Sequence, residues 1–231
     1  MKSIAIITAR GGSKRIPKKN IRDFCGQPII AYSIKAALDS GVFNEVMVST
    51  DSEEIAYIAE MNGAVVPFLR SEQTSNDYAT TADVLREVLD QYVLRDCFFD
   101  WFACIYPTAP FVRPDRLRRA AELLNESDSV ISVVKFSFPP QRAFVIRDGQ
   151  LKYIYPEYER TRSQDLEPEY HDCGQFYFCK TELFYQHHSL ILPNTKACII
   201  PEEEVQDIDT ISDWTIAELK YRAINFRKQG E

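Results

Sequence analysis

The stretch "TARGGSKRIPKKN", residues 8 to 20, holds five basic side chains and two glycines directly after the apolar run "SIAII". Glycine lets a backbone approach a bound group closely, and N–H groups in a loop after a strand can donate to phosphate oxygens. So many cations suit several phosphates rather than one. The sequence therefore predicts a polyphosphate site here. Its residues are Arg10, Gly11, Gly12, Ser13, Lys14, Arg15, Lys18 and Lys19.

The loop matches neither of the two common nucleotide-binding fingerprints. It contains neither the P-loop pattern GxxxxGK[ST] nor the dinucleotide pattern GxGxxG. A mobile, solvated basic loop is the alternative interpretation. The position after a first strand favours a ligand, because open α/β sheets bind ligands at the carboxyl ends of their strands.

A pair of carboxylates near the end of the chain has the spacing of a metal site. Asp207 and Asp209 in "VQDIDT" are two residues apart, so both side chains project from one face of an extended segment. Hard oxygen ligands of this kind suit Mg²⁺ bound to nucleotide phosphates. An ordinary acidic turn before the last helix, capped by Asp209 or Thr210, is the alternative.

Alternating strands and helices are predicted to position these residues. Segments 29–41 and 80–94 have apolar residues at helical spacing, and the first of them ends at a glycine suited to a helix C-cap. Five apolar runs rich in β-branched residues precede or follow such segments, which predicts a parallel sheet covered by helices. The runs are "SIAIIT", "EVMVST", "AVVPF", "WFACIY" and "SVISVV".

The pattern changes after about residue 135. Two short strands flank Asp148 and Gly149, a common hairpin turn pair, and a polar loop follows them. Beyond that loop, the sequence predicts the strand "CGQFYFC", a short helix from about Thr181, the strand "KACIIP" and a terminal helix from about Ile211. We therefore predict one domain over 1–231 with a β-rich lobe inserted at roughly 136–170.

Composition and charge limit the possible partners and location. The 231 residues are 45% hydrophobic and carry a formal net charge of -7, which argues against general nucleic-acid binding. Six scattered cysteines without a CxxC pair are expected to be reduced thiols. Because Arg10 interrupts the first apolar run, we expect no signal peptide, no membrane span and a cytoplasmic protein.

The segment "ARGGSKRIPKKNI" resembles the signature of the CMP-sugar synthetases, which transfer CMP from CTP to nonulosonic acids such as sialic acid. Five later motifs occur in the family's order, so the resemblance spans nearly the whole chain. They are "VSTD" (48–51), "PFLRSE" (67–72), "YPTAPF" (106–111), "CGQFYF" (173–178) and "DIDT" (207–210). The resemblance implies a three-layer, Rossmann-like nucleotide-diphosphosugar-transferase fold with a mostly parallel sheet, and a dimer formed through the inserted lobe.

The resemblance also implies roles for residues at the nucleotide. Asp207 and Asp209 would bind the catalytic Mg²⁺, while Arg10 and Lys19 would stabilise the charge on departing pyrophosphate. Asn20 would contact the ribose or a phosphate. The cytosine and ribose would be recognised by Arg70, by the carbonyl of Ala79 and by Thr80 and Thr81. The two threonines are also N-cap candidates for the helix that follows.

The acceptor sugar should carry a carboxylate, which arginine recognises well. The basic candidates are Arg142, Arg160, Arg162 and His171. Two of them, Arg142 and Arg162, match basic positions of the sialic acid enzymes. For each candidate, the alternative is a solvated surface side chain. His171 with Asp172 could equally be a structural hydrogen-bonded pair. Gln175 is assigned to the same sugar site.

Two departures from the sialic acid pattern favour another acid. Tyr106 replaces the usual glutamine before "PT", and His171 in "YHDCGQFY" replaces an arginine. Together with "RSQD" (162–165), these residues are similar to the pseudaminic acid cytidylyltransferases. The prediction is a Mg²⁺-dependent CMP-pseudaminic acid synthetase, with sialic and legionaminic acid enzymes as alternatives within the class.

Two further alternatives lie outside that class. A sugar-1-phosphate nucleotidyltransferase would use the same sheet, but the opening loop and "DIDT" disfavour it. A non-catalytic nucleotide-binding module would lose the metal ligands, whereas Asp207 and Asp209 are present. His187 and His188 fit no zinc spacing and are interpreted as surface or capping residues.

Overall fold

Strands and helices alternate along most of the chain. The computed structural model describes residues 1–229. The strands are β1 (Ser3–Thr8), β2 (Asp23–Phe24), β3 (Gln27–Pro28), β4 (Glu45–Ser49), β5 (Trp101–Ile105), β6 (Ser129–Lys135), β7 (Phe144–Arg147), β8 (Gln150–Tyr153), β9 (Tyr170–Lys180) and β10 (Thr195–Ile199). The α-helices are α1 (Ile29–Ser40), α2 (Glu53–Met61), α3 (Glu72–Ser75), α4 (Thr81–Val93), α5 (Pro114–Leu124), α6 (Thr181–His187) and α7 (Ile211–Gln229).

Six strands form the central sheet in the order β10-β6-β9-β5-β1-β4. The pairs β10–β6, β5–β1 and β1–β4 are parallel, whereas β9 runs antiparallel to both of its neighbours. The prediction of a mostly parallel sheet is therefore confirmed. Because β9 is reversed, its first residues lie at the same edge as the carboxyl ends of β1, β5 and β6, and this edge carries the predicted site.

Both faces of the sheet are buried, which gives three layers. Along β1, Ile4 and Ile6 pack with residues of α4 and α6, while Ala5 and Ile7 pack with residues of α1, α2 and α5. Alternate side chains of a strand point to opposite faces, so an almost wholly apolar strand is what a sheet covered on both sides requires. All four side chains are fully buried.

Both predicted covering helices form, and their ends have identifiable caps. Gly41 ends α1 in the left-handed conformation at φ 67° and donates its N–H to the Leu38 carbonyl. Thr80 is the N-cap of α4, where its side chain and that of Asp83 form a reciprocal capping box. One of the two roles that the sequence allowed for Thr80, helix capping, is thus observed.

The strand predicted at "AVVPF" (64–68) is wrong. Only Val65 forms a bridge, to Met47 in the outer strand β4. Its N–H donates to the Val46 carbonyl and its carbonyl accepts from Val48. Pro67 has no N–H to donate, so the ladder cannot continue past it.

The segment between β6 and β9, which contains the predicted lobe, adds no strand to the central sheet. Its hairpin β7–β8 turns at Asp148 and Gly149, whose φ angles are 51° and 75°. Two consecutive positive φ angles are typical of the type I′ turn that suits the twist of a hairpin. The lobe exposes several large apolar side chains, namely Phe138, Phe144, Ile146, Leu151, Ile154, Tyr155 and Tyr158.

Candidate active site

Three cavities lie in series along the carboxyl edge of the sheet. The loop cavity, about 220 Å³, is bounded by the segment after β1. The Arg70 cavity, also about 220 Å³, shares Thr8, Arg10 and Thr81 with it. The Tyr177 cavity, about 530 Å³, shares Tyr106 with the loop cavity. An elongated ligand or a pair of ligands could therefore occupy a continuous surface with the loop cavity in the middle.

The loop cavity gathers most of the predicted phosphate-binding residues. Asn20 is buried and donates its side-chain amide to the Arg10 carbonyl at 2.8 Å, which fixes the loop against itself. The lining consists of Thr8, Arg10, Ser13, Lys14, Arg15, Ile16, Lys19, Asn20, Thr81, Tyr106, Pro107 and Thr108. The sequence prediction of a concentrated basic loop thus corresponds to one concave surface.

Carboxylates neutralise the cations of this loop. Asp77 accepts from Arg10 at 2.8 Å and from Lys14 at 2.5 Å. Hydrogen bonds from Lys14 and then Arg10 lower the pKa of the Asp77 carboxyl. Lys18 pairs with Glu54 at 2.7 Å. The cations that were predicted to bind phosphate are therefore paired with carboxylates of the same chain.

The loop is tied directly to the distant acidic motif. Lys19 donates its Nζ to the Ile208 carbonyl at 2.6 Å and lies 3.6 Å from an oxygen of Asp209. Arg15 approaches the same Asp209 oxygen at 2.7 Å. Ile208 is buried in an apolar cluster with Ile16, so the backbone on both sides of the contact is anchored. The predicted phosphate and metal residues are thus brought together.

The two aspartates of the motif face different neighbours. Asp207 is exposed and lines the Tyr177 cavity, whereas Asp209 faces the loop cations. The helix cap that follows uses other residues, since Thr210 and Asp213 exchange hydrogen bonds at the start of α7. Asp209 therefore does not serve as the cap, although Thr210 does.

Arg70 forms one wall of the Arg70 cavity and is nearly buried. Its guanidinium donates to the Ser49 hydroxyl at 3.0 Å and to the Ser49 carbonyl at 2.6 Å. Desolvation lowers the pKa of Arg70, and the charge of Asp51 acts in the opposite direction. Ala79, Thr80 and Thr81 line the same cavity, so the residues predicted to contact the base are adjacent.

One wall of the Tyr177 cavity is formed by hydrogen-bonded residues of β9. Tyr177 donates its hydroxyl to Asp172 at 2.6 Å, and Asp172 also accepts the N–H of Gly174 at 2.8 Å. His171 donates Nδ1–H to the Asp172 carbonyl, because a carbonyl can only accept. Burial and the bond to Asp172 raise the pKa of Tyr177, so its hydroxyl stays protonated at neutral pH. Tyr106 and His171, both predicted to face the acceptor, line this cavity.

Three residues assigned to the sugar site lie outside the lining of this cavity. Arg142 donates to the Thr161 carbonyl at 3.1 Å within the lobe, and the exposed Arg162 pairs with Asp165 at 2.7 Å. Gln175 is buried and donates to the Glu204 carbonyl at 2.6 Å. The single chain therefore does not bring these three side chains to the Tyr177 cavity.

His188 is the C-cap of α6 and also contacts the capping box of α4. It ends α6 in the left-handed conformation, and its Nε2 lies 3.1 Å from Asp83 of the capping box. Its neighbour His187 is exposed. Both observations agree with the surface and capping interpretation of the pair.

Comparison with known proteins decides the family. The sequence profile described as cytidylyltransferase matches residues 4–204. This chain belongs to the cytidylyltransferase family. It is 40% identical over 225 residues to the pseudaminic acid cytidylyltransferase of Campylobacter jejuni, a match that covers 96% of this chain and 97% of that protein. It is 38% identical to the CMP-N,N'-diacetyllegionaminic acid synthase of Legionella pneumophila, over 94% of this chain and 95% of that protein.

Solved structures confirm the fold of the enzyme. A CMP:2-keto-3-deoxy-manno-octonic acid synthetase complexed with CTP superposes with a TM-score of 0.69. The match covers 97% of this chain and 99% of that one at 17% identity. The three-layer nucleotidyltransferase architecture expected from the sequence is therefore correct. Among the described residues, no helix is long and apolar enough to span a membrane.

The acidic residues of the cytidylyltransferase do not form a complete metal site by themselves. Within residues 1–229, no group of three or more His, Cys, Asp or Glu side chains is arranged to hold an ion. Mg²⁺ commonly takes only one or two carboxylates and completes its octahedron with water and substrate phosphates. Asp207 and Asp209 beside a basic phosphate loop are compatible with that mode of binding.

Asp51 contacts the backbone of the loop after β1, and the sequence alone gave no reason to assign it a role. Its carboxylate accepts the N–H of Gly11 at 2.7 Å. A Cβ on Gly11 would lie 3.2 Å from the Ser52 Cβ, so the glycine permits this close approach. The Gly11 N–H that was predicted to bind phosphate is thus paired with Asp51 in this structure, and neither Gly11 nor Gly12 lines the loop cavity. The available signal was the acidic residue at the end of "VSTD", two residues after the end of β4.

Replacement of Asp51 tests this anchor without any substrate. Asp51→Ala removes the acceptor, so we expect the amide hydrogen of Gly11 to exchange about tenfold faster, the effect of losing a charge-assisted hydrogen bond. Asp51→Asn keeps an oxygen acceptor and should retain most of the protection. Hydrogen exchange read by mass spectrometry on peptides covering 8–15 provides the measurement. Equal exchange in wild type and Asp51→Ala would show that the contact does not hold the loop.

Proposed function

We propose that this cytidylyltransferase transfers CMP from CTP to the anomeric hydroxyl of a nonulosonic acid, and that the acid is pseudaminic acid. The observation that carries the proposal is the series of three cavities, with a basic cavity between one that suits a base and one that suits a sugar. The 40% identity to a protein named as a pseudaminic acid cytidylyltransferase supports the choice of acid.

The nucleotide would lie across the Arg70 and loop cavities. Cytosine needs a donor for its ring oxygen and nitrogen and an acceptor for its exocyclic amine. Arg70 and the Ala79 carbonyl have those properties and line one cavity. The triphosphate would then extend into the loop cavity, where its oxygens replace Asp77 as the partner of Arg10 and Lys14.

The reaction would join the nucleotide, bound across the Arg70 and loop cavities, to the sugar bound in the Tyr177 cavity. The acceptor hydroxyl attacks the α-phosphorus, the bond between the α-phosphorus and the bridging oxygen breaks, and pyrophosphate leaves while the hydroxyl proton goes to solvent. Arg10 and Lys19 would stabilise the charge that develops on the leaving group. Catalysis by positioning and electrostatics needs no protein nucleophile.

Asp207 and Asp209 would hold Mg²⁺ between the loop and the Tyr177 cavity. When bound, the ion would neutralise triphosphate charge and polarise the α-phosphorus. Arg15 and Lys19, which contact Asp209 in the free chain, would then be available to phosphate oxygens. The carboxylates and the cations thus exchange partners when nucleotide binds.

The acceptor would occupy the Tyr177 cavity. Tyr106 separates this cavity from the loop cavity, so a sugar there lies next to the α-phosphate. His171 and Tyr106 are the positions at which the sequence departs from the sialic acid pattern, and both line the cavity. The combination favours pseudaminic acid over sialic and legionaminic acids.

We further propose a homodimer formed through the lobe, acting in the cytoplasm where CTP is available. Phe138, Ile146 and Leu151 of the lobe are 89%, 72% and 63% exposed. Apolar surface of this kind is stabilised by contact with a second copy. Arg142 and Arg162 lie on the same lobe, so dimerisation is the route by which they could approach an acceptor of the partner chain.

The proposed reaction is tested by pyrophosphate release. Purified protein with CTP and Mg²⁺ should release pyrophosphate with pseudaminic acid and at least about tenfold more slowly with sialic or legionaminic acid, the scale of discrimination from one or two polar contacts. EDTA should stop the reaction. Absence of release with every acid would remove the enzymatic proposal, and fastest release with sialic or legionaminic acid would remove the choice of sugar.

The metal assignment is tested at Asp209. Asp209→Asn should lower kcat by about 100-fold or more, since it removes a charged group that acts on the transition state, while the far-UV spectrum stays native. Glu54→Gln is the matched control, because it also removes the carboxylate partner of a loop cation, Lys18. Near-full rate in Asp209→Asn, or equal losses in both variants, would count against a metal role.

The dimer is tested by mass in solution. Light scattering after size exclusion should give twice the chain mass for wild type, and Ile146→Glu should give a monomer because it buries a charge in the apolar contact. Leu94→Glu is the control, since Leu94 is 76% exposed but lies at the end of α4, away from the lobe. A monomeric wild type at micromolar concentration, or a dimeric Ile146→Glu, contradicts the lobe interface.

A further inference from the structure

We propose that Lys220 binds the carboxylate of the acceptor sugar. This inference rests on the proposed function and names the group that anchors the substrate at the Tyr177 cavity. Arginines of the lobe were the sequence candidates for this task, whereas Lys220 lies on the terminal helix α7 and played no part in that prediction. It lines the cavity together with Asp207 and Tyr106.

The position of Lys220 is fixed by the backbone. Its Nζ donates to the Val205 carbonyl at 2.9 Å, and the side chain is half-buried. Val205 lines the same cavity two residues before Asp207. An ammonium group has three N–H donors, so the bond to Val205 leaves two of them for a ligand. Because the side chain is already ordered, binding an anion costs less conformational entropy.

Lys220 differs from the cations of the phosphate loop in its partners. Arg10, Lys14, Arg15, Lys18 and Lys19 each contact a carboxylate. Within the part of the chain that the structure describes, Lys220 contacts a neutral carbonyl and forms no ion pair. Its positive charge is therefore uncompensated at close range in a cavity that the proposed anionic substrate must enter.

Other charged groups in the lining are less suited to the task. Lys135 is exposed at the end of β6, where solvent weakens an ion pair. Asp172 is already engaged by Tyr177 and Gly174, and Glu202 and Asp207 would repel a carboxylate. A partly buried cation attracts an anion more strongly than an exposed one, since the effective dielectric constant is lower.

The chemistry of the substrate places its carboxylate where Lys220 lies. In a nonulosonic acid the carboxylate is bonded to the anomeric carbon that carries the attacking hydroxyl. The group that binds it must therefore lie beside the reacting centre rather than at the far end of the sugar. Lys220 and Asp207, the proposed metal ligand, line the same cavity, so the anchor and the reacting centre are neighbours.

Substitution of Lys220 with steady-state kinetics tests the inference. Lys220→Gln should raise KM for the acid about 10- to 100-fold, as expected for loss of a charge-assisted hydrogen bond, while KM for CTP changes less than about twofold. Lys220→Arg should recover part of the loss. Arg222→Gln on the same helix, which removes a cation paired with Glu218, should leave both values unchanged.

The methyl ester of the acid separates a carboxylate contact from a structural role. The KM of wild type for the ester should be as high as the KM of Lys220→Gln for the acid. The KM values of Lys220→Gln for acid and ester should agree within about threefold, because the ester lacks the same interaction that the substitution has already removed. An unchanged KM for the acid in Lys220→Gln, equal losses on acid and ester, or a raised KM for CTP would each overturn the inference while the proposed function stands. A wild type that releases no pyrophosphate with any acid would overturn both.

Discussion

The site depends on one contact between residues 189 positions apart in the chain, the hydrogen bond from Lys19 Nζ to the Ile208 carbonyl. It joins the loop after β1 to the segment before α7, which otherwise belong to opposite ends of the sequence. Buried apolar packing supports it, because Ile16 and Ile208 lie in one cluster with Phe24 and Trp214. The polar contact can be specific because the hydrophobic cluster beneath it fixes both backbones.

The second constraint is electrostatic. A loop with five cations in thirteen residues would repel itself, yet the whole chain carries a net charge of -7. Asp77, Asp209 and Glu54 resolve this conflict by pairing with the loop in the free chain. A bound polyanion would replace one set of charged partners with another, so its binding free energy would be the difference between two ion-pairing arrangements. The same exchange would release Asp209 for a metal.

Helix caps and a hairpin turn could be predicted from the sequence, because each depends on the residue types at a few neighbouring positions. Gly41 and Thr80 have the residue types that helix caps need, and Asp148–Gly149 has those of a hairpin turn. The prediction of a strand at 64–68 was wrong, because it gave more weight to the apolar residues of this segment than to Pro67. The partners Asp51 and Asp77 could not be predicted, because a carboxylate on a distant loop carries no local mark of which cation or N–H it will meet. The place of Lys220 in the cavity lining could not be predicted for the same reason, since only the path of α7 brings it there.

Tyr106 connects these constraints to the choice of acceptor. Its backbone is held on both sides, with its N–H donating to the Gln175 carbonyl and its carbonyl accepting from the Ser33 hydroxyl. The ring therefore stays between the loop cavity and the Tyr177 cavity, 5.5 Å from the ring of Tyr177. Tyr177 donates its hydroxyl hydrogen bond to Asp172, so the Tyr177 oxygen and the Asp172 carboxylate can only accept further hydrogen bonds. The lining of the Tyr177 cavity combines a cationic donor at Lys220 with acceptors at Asp172 and Tyr177. Under the proposed function, such a lining would offer partners both to the carboxylate and to the N–H or O–H groups of an acidic amino sugar, with Tyr106 between that sugar and the loop.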